Sequence, residues 1–356
     1  MIKENSYKLS WITKLRSKKK KIDPILCEKM IRALGLLEQL VINNLQFVFK
    51  GGTSLILLVE KPQRFSIDID INTEESKDKL LNILKIICSN DLFKRFEENK
   101  RTNRSIPKAH FKFYYDSVIN GRENYILLDV LFDKHSYPEI IDTPIKSFWI
   151  DTDDNIIKVN TPSIDSILGD KLTVFAPNTT GIKYKIGKSM EIMKQLFDIG
   201  RLFDHVENIE VVADSFKEIA KKELEYRKSD KMIDDVLQDI IETSLIVSQL
   251  PGGTKSDFPE LLELIDGLKR FKGFPIEFAF RADDAILAAA KTAYIAIKIL
   301  KKDFTIIDKF SNNVKYNEPD FPDNYKHLKK LKKRKIEAYY YWCKVFDLLP
   351  FIKESK

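Results

Sequence analysis

The residues best able to do chemistry lie in the stretch KGGTSLILLVEKPQRFSIDIDI, residues 50–71. Its last six residues alternate Ser66, Asp68 and Asp70 with Ile67, Ile69 and Ile71, a period of two that predicts a strand with isoleucines on one face and carboxylates on the other. Residues two apart on a strand stand about 6 to 7 Å from each other. Two bare carboxylates so placed repel, and a divalent cation removes the conflict. Mg²⁺ or Mn²⁺ suits such a site, because these ions accept a few carboxylates and complete their shells with phosphate oxygens and water. Two such ions roughly 4 Å apart are what in-line phosphoryl or nucleotidyl transfer uses, one activating the attacking oxygen and one stabilising the leaving oxygen.

The glycines upstream offer the other half of such a site. Gly51 and Gly52 have no side chains to keep backbone amides away from a triphosphate, and Thr53 and Ser54 open a helix whose positive end favours anions. A Gly-Gly pair alone is compatible with a tight turn, and a lone aspartate with a solvated strand face; the conjunction points to a nucleotide site. A third carboxylate is offered by Asp129 in the apolar run NYILLDVLF. Buried there it needs a metal, an ion pair or a hydrogen-bond donor. Arg64 precedes the acidic strand and could meet a phosphate or neutralise Asp68 or Asp70.

Several classes are excluded. Cys27, Cys88 and Cys343 are widely spaced with no CxxC pair, and His110, His135, His205 and His327 show no metal-ligand spacing, so a zinc hydrolase or redox centre is not expected. No apolar run approaches the roughly 18 residues that span a bilayer. The N-terminal basic cluster follows its hydrophobic residues, unlike a secretory signal, so a cytoplasmic protein is expected. The chain has 356 residues, 44% hydrophobic and 32% charged, a globular composition with room for two domains.

The elements that must position these residues follow from periodicity. Asp23-Pro24 reads as N-cap and first turn of a helix over residues 24–43. Residues 47–49 read as a short strand, 51–60 as a glycine turn entering a helix, 66–71 as the acidic strand, and 76–89 as a helix. Strands are expected over 110–115 and 125–132, and a weaker one over 156–160. Beyond Pro162 the pattern is helical: 163–175, 188–203, 214–245, 259–271, 283–301 and 323–348. The expected class is α+β. A helical N-terminal segment (1–46) precedes an α/β core (47–160) and a helical C-terminal domain (161–356), with PGGTK at residues 251–255 as a candidate subdivision. Within the helix over 163–175, Lys171 falls in the middle of the stripe formed by Ile164, Ile167, Leu168, Leu172 and Phe175. Its ammonium must snorkel, pair with a carboxylate, or point at nucleotide phosphates.

The combination of GGTSL, a spacer, RFSIDIDI, and the helices bearing Lys171 and EIMKQLFDIGRLFD resembles the nucleotidyltransferase toxins of the AbiEii/AbiGii group, best over residues 47–204. The resemblance implies a polymerase-β-like nucleotidyltransferase core. Gly-Thr stands where the broader superfamily has Gly-Ser, and fourteen residues separate Thr53 from Asp68, a longer spacer that is usual for the toxin group. Carried over residue by residue, Asp68, Asp70 and Asp129 would be the metal-binding carboxylates. Lys171 would be the essential helix lysine, Asp198 the later aspartate of an RDLxDL-like helix with Lys194 as its basic residue, and Ser66 the serine of an SxD pattern that contacts the nucleotide or offers a site for a kinase-like antitoxin. Gln195 replaces the family's earlier aspartate. Asp198 could equally be a surface ion pair with Lys194 or Arg201.

Two basic runs, KLRSKKKK (14–21) and KHLKKLKKRK (326–335), give the formal net charge of +7 an uneven distribution. Such runs are commonly solvated faces, but Lys18, Lys19, Lys20, Lys329, Lys330, Lys332, Lys333 and Arg334 are also candidates for RNA backbone contacts. The second run precedes EAYYYWCKVF, where Tyr339, Trp342 and Phe346 keep core spacing while Tyr340 and Tyr341 face elsewhere and could stack on bases. The partners implied are an NTP, an RNA acceptor of which the tRNA 3′ end fits the resemblance best, and a cognate antitoxin, with no membrane. Transfer to a protein side chain, as in AMPylation, and a non-catalytic RNA-binding module are the alternatives.

Overall fold

The computed structural model describes residues 1–18, 22–59, 64–99, 107–250, 259–276 and 278–349. The break expected at residues 251–255 lies outside these, as do Lys19 and Lys20. The chain divides into two compact units, Met1–Ser163 with Phe274–Phe278, and Ile164–Gly273 with Ala279–Lys356.

The first unit opens with α1 (Leu9–Lys18) and α2 (Pro24–Ile42), the latter capped as expected by Asp23, whose carboxylate accepts from the amides of Ile25 and Leu26. Next come β1 (Val48–Lys50), α3 (Gly51–Leu58), β2 (Ile69–Asn72), α4 (Lys77–Ile87), β3 (Arg95–Glu98), β4 (Lys108–Asp116), β5 (Glu123–Leu131), β6 (Ile140–Pro144) and β7 (Lys158–Pro162). A mixed five-stranded sheet runs in the order β1-β2-β5-β4-β3; only β2 and β5 are parallel, and β6 and β7 form a separate ribbon. Ile69, Ile71, Phe111, Phe113, Ile126, Leu128 and Val130 form one core with Leu34 and Leu37 of α2 and Leu80 and Leu84 of α4. Each such side chain contributes about 1.5 to 3 kcal/mol by leaving water, so a carboxylate at Ile69 would unseat β2. Glu28 of α2 is fully buried and accepts from the Ser117 hydroxyl (2.6 Å) and the Val118 amide (2.8 Å), which pins the helix to the turn between β4 and β5.

The acidic strand is shorter than its alternation suggests. Ladder pairing starts only at Ile69, and Ile67 is half-buried where Ile69 and Ile71 are sealed. The approach segment is tied elsewhere: the Phe65 amide donates to the Phe274 carbonyl (3.0 Å), and the Thr53 hydroxyl meets Ser66 Oγ (2.9 Å) and the Asp68 carbonyl. Strands β3 and β6 carry no pattern strong enough to be read from sequence.

The second unit is helical: α5 (Ile164–Val174), α6 (Ser189–Leu202), α7 (Ile209–Arg227), α8 (Ile233–Val247), α9 (Pro259–Phe271), α10 (Ala282–Leu300), α11 (Leu331–Arg334) and α12 (Ile336–Leu348). The single helix expected over 214–245 is two. Lys228 takes a left-handed conformation (φ 51°) that ends α7, and the Met232 amide donates to Asp235 Oδ2 (2.7 Å) as α8 begins. Residues 323–348 likewise divide into a 3₁₀ turn (Asp323–Lys330), α11 and α12, with Lys335 leaving helical geometry between the last two. Alanine-rich α10 is buried along nearly its whole length, and its Lys291 and Lys298 are neutralised by Asp204 (2.7 Å) and Asp303 (2.7 Å). Among the described residues, no helix is long and apolar enough to cross a membrane.

Candidate active site

Strand register in the first unit assembles one polar row. Lys50 of β1 faces Asp70 of β2, Asp70 faces Asp129 of β5, and Asp129 faces His110 of β4. Cross-strand partners point to the same side of a sheet, so the four side chains stand side by side on the face opposite Ile69 and Ile71. Neighbouring strands are about 4.8 Å apart, which sets the spacing of Asp70 and Asp129. Asp68 lies two residues before Asp70, just outside the ladder. Asp129 is 30% exposed and its Oδ1 lies 2.6 Å from Nδ1 of His110, itself 14% exposed. That bond fixes the orientation of one carboxylate oxygen and leaves the other to a ligand.

The glycine turn is packed against this row. Gly51 begins α3 with φ +76°, and a Cβ there would come 2.2 Å from Asp70 Oδ2. Glycine is therefore required twice, for the left-handed backbone and for the approach of Asp70. A Cβ on Gly52 would lie 2.3 Å from the Arg64 guanidinium and 3.0 Å from Ser66 Oγ. Arg64 is buried and donates to the Phe65 carbonyl (2.9 Å). The Thr53 and Ser54 hydroxyls turn inward: both residues are fully buried, Thr53 bonded to the 66–68 segment and Ser54 to the Gly51 carbonyl (2.8 Å). What this turn can offer a phosphate is its backbone rather than those hydroxyls.

Among the described residues no three histidines, cysteines, aspartates or glutamates are gathered as a ready-made metal cage. Two adjacent carboxylates fit Mg²⁺ nevertheless, since that ion draws much of its shell from substrate phosphates and water. The donor set is all oxygen, with Asp129 already oriented by His110, as the carboxylates of metal centres commonly are. Burial pushes the Cys27 thiol up to about 12, so that cysteine is no nucleophile.

In the second unit Lys171 and Asp198 form an ion pair at 2.9 Å, with side chains only 8% and 2% exposed, and Lys171 Nζ also donates to Gln195 Oε1 at 3.0 Å. Asp198 is thus a buried partner rather than a surface one, and Gln195 has a polar role at the lysine. The basic run at residues 326–335 is largely partnered: Lys329 with Asp320 (3.0 Å), Lys332 with Glu318 (2.6 Å), Lys326 with Asp323 (2.6 Å), and Arg334 with Asp283. Lys330 and Lys333 are exposed. Tyr340 and Tyr341 are as buried as Tyr339, Trp342 and Phe346, which overturns the expectation that they are placed to stack on bases. Lys18 ends α1 with its ammonium 5.9 Å from the Phe148 ring.

Sequence reasoning missed Lys50 and His110, although both occupy the row. Lys50 immediately precedes the glycines, a signal that was readable; His110 reaches Asp129 only through strand register.

Residues 35–271, well over half of the chain, match the family described as nucleotidyl transferase AbiEii toxin, type IV toxin–antitoxin system. The protein is therefore a nucleotidyltransferase. It belongs to the AbiEii toxin family of type IV toxin–antitoxin systems. Two solved structures are similar to it. One is a protein of H. pylori assigned as a nucleotidyltransferase, 17% identical, covering 78% of this chain and 94% of its own, with a TM-score of 0.43. The other is JHP933 from Helicobacter pylori, 17% identical, covering 77% and 90%, with a TM-score of 0.42. Both superpositions are too loose to add weight to the family match. No curated protein matches the chain.

Proposed function

We propose that this nucleotidyltransferase is Mg²⁺-dependent and transfers a nucleoside monophosphate from an NTP to the terminal ribose hydroxyl of an RNA, the tRNA 3′ end being the acceptor that best fits the family. The observation that carries the reading is the row Asp70–Asp129–His110 with the Gly51 turn packed onto Asp70. In this reading Asp68, Asp70 and Asp129 would hold the ion. Bound there, Mg²⁺ would neutralise triphosphate charge and acidify the acceptor hydroxyl. The turn at Gly51 and Gly52 brings backbone close to the triphosphate, Arg64 and Ser66 flank it, and His110 keeps Asp129 oriented. The acceptor oxygen bonds to the α-phosphorus as the bond to the bridging oxygen breaks, and pyrophosphate leaves with that oxygen. Lys171, held by Asp198 and Gln195, stands where the family has its helix lysine. A tRNA so modified could not be aminoacylated, which fits growth arrest opposed by a cognate antitoxin.

An α-labelled NTP incubated with total RNA and with cellular protein tests this. Label at tRNA 3′ ends supports the reading. Label on protein selects an AMPylation-like acceptor instead, and no label on either fraction, with Mg²⁺ or Mn²⁺ present, overturns it.

A further inference from the structure

Lys112 of β4 and Tyr125 of β5 share the face of the acidic row, and Lys29 of α2 meets the same tyrosine ring. Lys112 of β4 lies 4.7 Å from the centroid of Tyr125, and Lys29 of α2 lies 5.1 Å from it. Lys112 is two residues from His110 along β4, and Tyr125 is four residues from Asp129 along β5, which puts them roughly 7 and 13 Å from the acidic row. The placement of Lys29 is built in: its neighbour Glu28 is the buried carboxylate that pins α2 to the turn between β4 and β5. All three side chains are half-buried. Among the described residues neither lysine has a carboxylate within ion-pair distance. Burial holds the Lys29 ammonium below the usual lysine value, with the Asp68 charge working the other way. Two half-buried ammonium groups against one ring concentrate positive charge there, which a phosphate would neutralise.

We propose that Lys29, Lys112 and Tyr125 form the binding site for the phosphodiester backbone of the RNA acceptor, an inference that rests on the nucleotidyl-transfer reading above. Cations interleaved with an aromatic ring are the chemistry of single-stranded nucleic acid binding, where the backbone is neutralised and a base can stack. The triphosphate is served at the other end of the row, by the turn on the β1 side. An acceptor strand held along β4 and β5 would bring its terminal ribose towards Asp129.

The test is binding without chemistry. A labelled single-stranded RNA of about 12 nucleotides, within the 4 to 16 that such sites cover, is titrated by fluorescence anisotropy against the full chain at several salt concentrations. A fluorescent NTP analogue is titrated separately. The Lys29→Gln/Lys112→Gln variant should bind RNA at least about tenfold more weakly, and the slope of log affinity against log salt should flatten by about 1.4, roughly 0.7 for each phosphate that is no longer neutralised. NTP affinity should be unchanged, Lys29→Arg/Lys112→Arg should restore RNA binding, and Asp70→Asn should bind RNA at least as tightly as the natural chain. Natural RNA affinity in the glutamine variant, loss of NTP binding with RNA binding intact, or no RNA binding by the natural chain would each overturn the proposal. RNA binding that depends on the two lysines, in a protein that transfers no nucleotide, would leave this site standing while the catalytic reading fails.

Discussion

The chain holds two polar constellations that sequence alone treats alike and that the structure separates. In the sheet unit, Asp129 and His110 stand partly open to solvent beside Asp70, three groups in a row created by strand register. In the helical unit, Lys171 and Asp198 are almost wholly enclosed and bonded to each other. A half-buried carboxylate row that solvent still reaches is open to a ligand. An enclosed ion pair is coupled to the fold, since removing either member leaves an uncompensated charge in a low-dielectric interior. Loss of function therefore means different things in the two places.

The largest separation should come from Asp70→Asn, which takes a ligand from the row without changing its shape. Transfer should fall by on the order of 10³-fold, the scale of losing several kcal/mol of charge stabilisation, while the urea midpoint stays put. A falling midpoint would mean that the row, too, is structural. Lys171→Met should behave oppositely at first, costing about 3 to 5 kcal/mol in urea unfolding. Combining it with Asp198→Leu should recover most of that stability, as buried ion pairs replaced by apolar side chains commonly do, but transfer should stay lost. Transfer returning along with stability would reduce the pair to a purely structural device.

A smaller effect is expected from His110→Ala. Apparent Mg²⁺ affinity should drop by about 10- to 100-fold, the usual cost of removing a partner that orients a metal-binding carboxylate. His110→Asn, which keeps a donor near the Nδ1 position, should recover much of it, and equal loss in both variants would detach His110 from metal binding. The smallest change should follow Lys329→Ala and Lys332→Ala. Both lysines pair with exposed carboxylates at the surface, so the thermal midpoint should not move measurably; tRNA affinity that also stays unchanged would remove this run from the RNA surface.

Much of the acidic site is legible in the sequence because its chemistry is local. Asp68, Asp70 and the Gly-Gly pair are close in the chain, and alternation marks the strand that carries Asp70. The limits of that strand are not local: Thr53 and residues 274–275 hold the approach to Asp68 away from the ladder, and no periodicity reports a hydrogen bond across thirteen residues or two hundred. Asp129 is legible as a polar residue in an apolar run, whereas its neighbour His110 is an unremarkable residue on an alternating strand until β4 and β5 pair. Lys171 is legible as a misplaced charge on an apolar stripe, but its partners needed the packing of α5 on α6. The reading of Tyr340 and Tyr341 as stacking residues failed because a helix covered on several sides loses the polar face that amphipathicity assumes. The long helix expected over 214–245 failed for want of a glycine or proline at Lys228, where the chain turns through a left-handed lysine.

Metal removal bears most directly on the central claim. The purified chain, stripped with EDTA and desalted, is supplied with an α-labelled NTP and tRNA, with and without added Mg²⁺. The expected result is no transfer in the stripped protein, full transfer on restoring Mg²⁺, and none at any Mg²⁺ concentration in Asp70→Asn. Transfer that persists after stripping, or that Asp70→Asn performs at the natural rate, would contradict the assignment of the acidic row as the metal-dependent nucleotidyl-transfer centre.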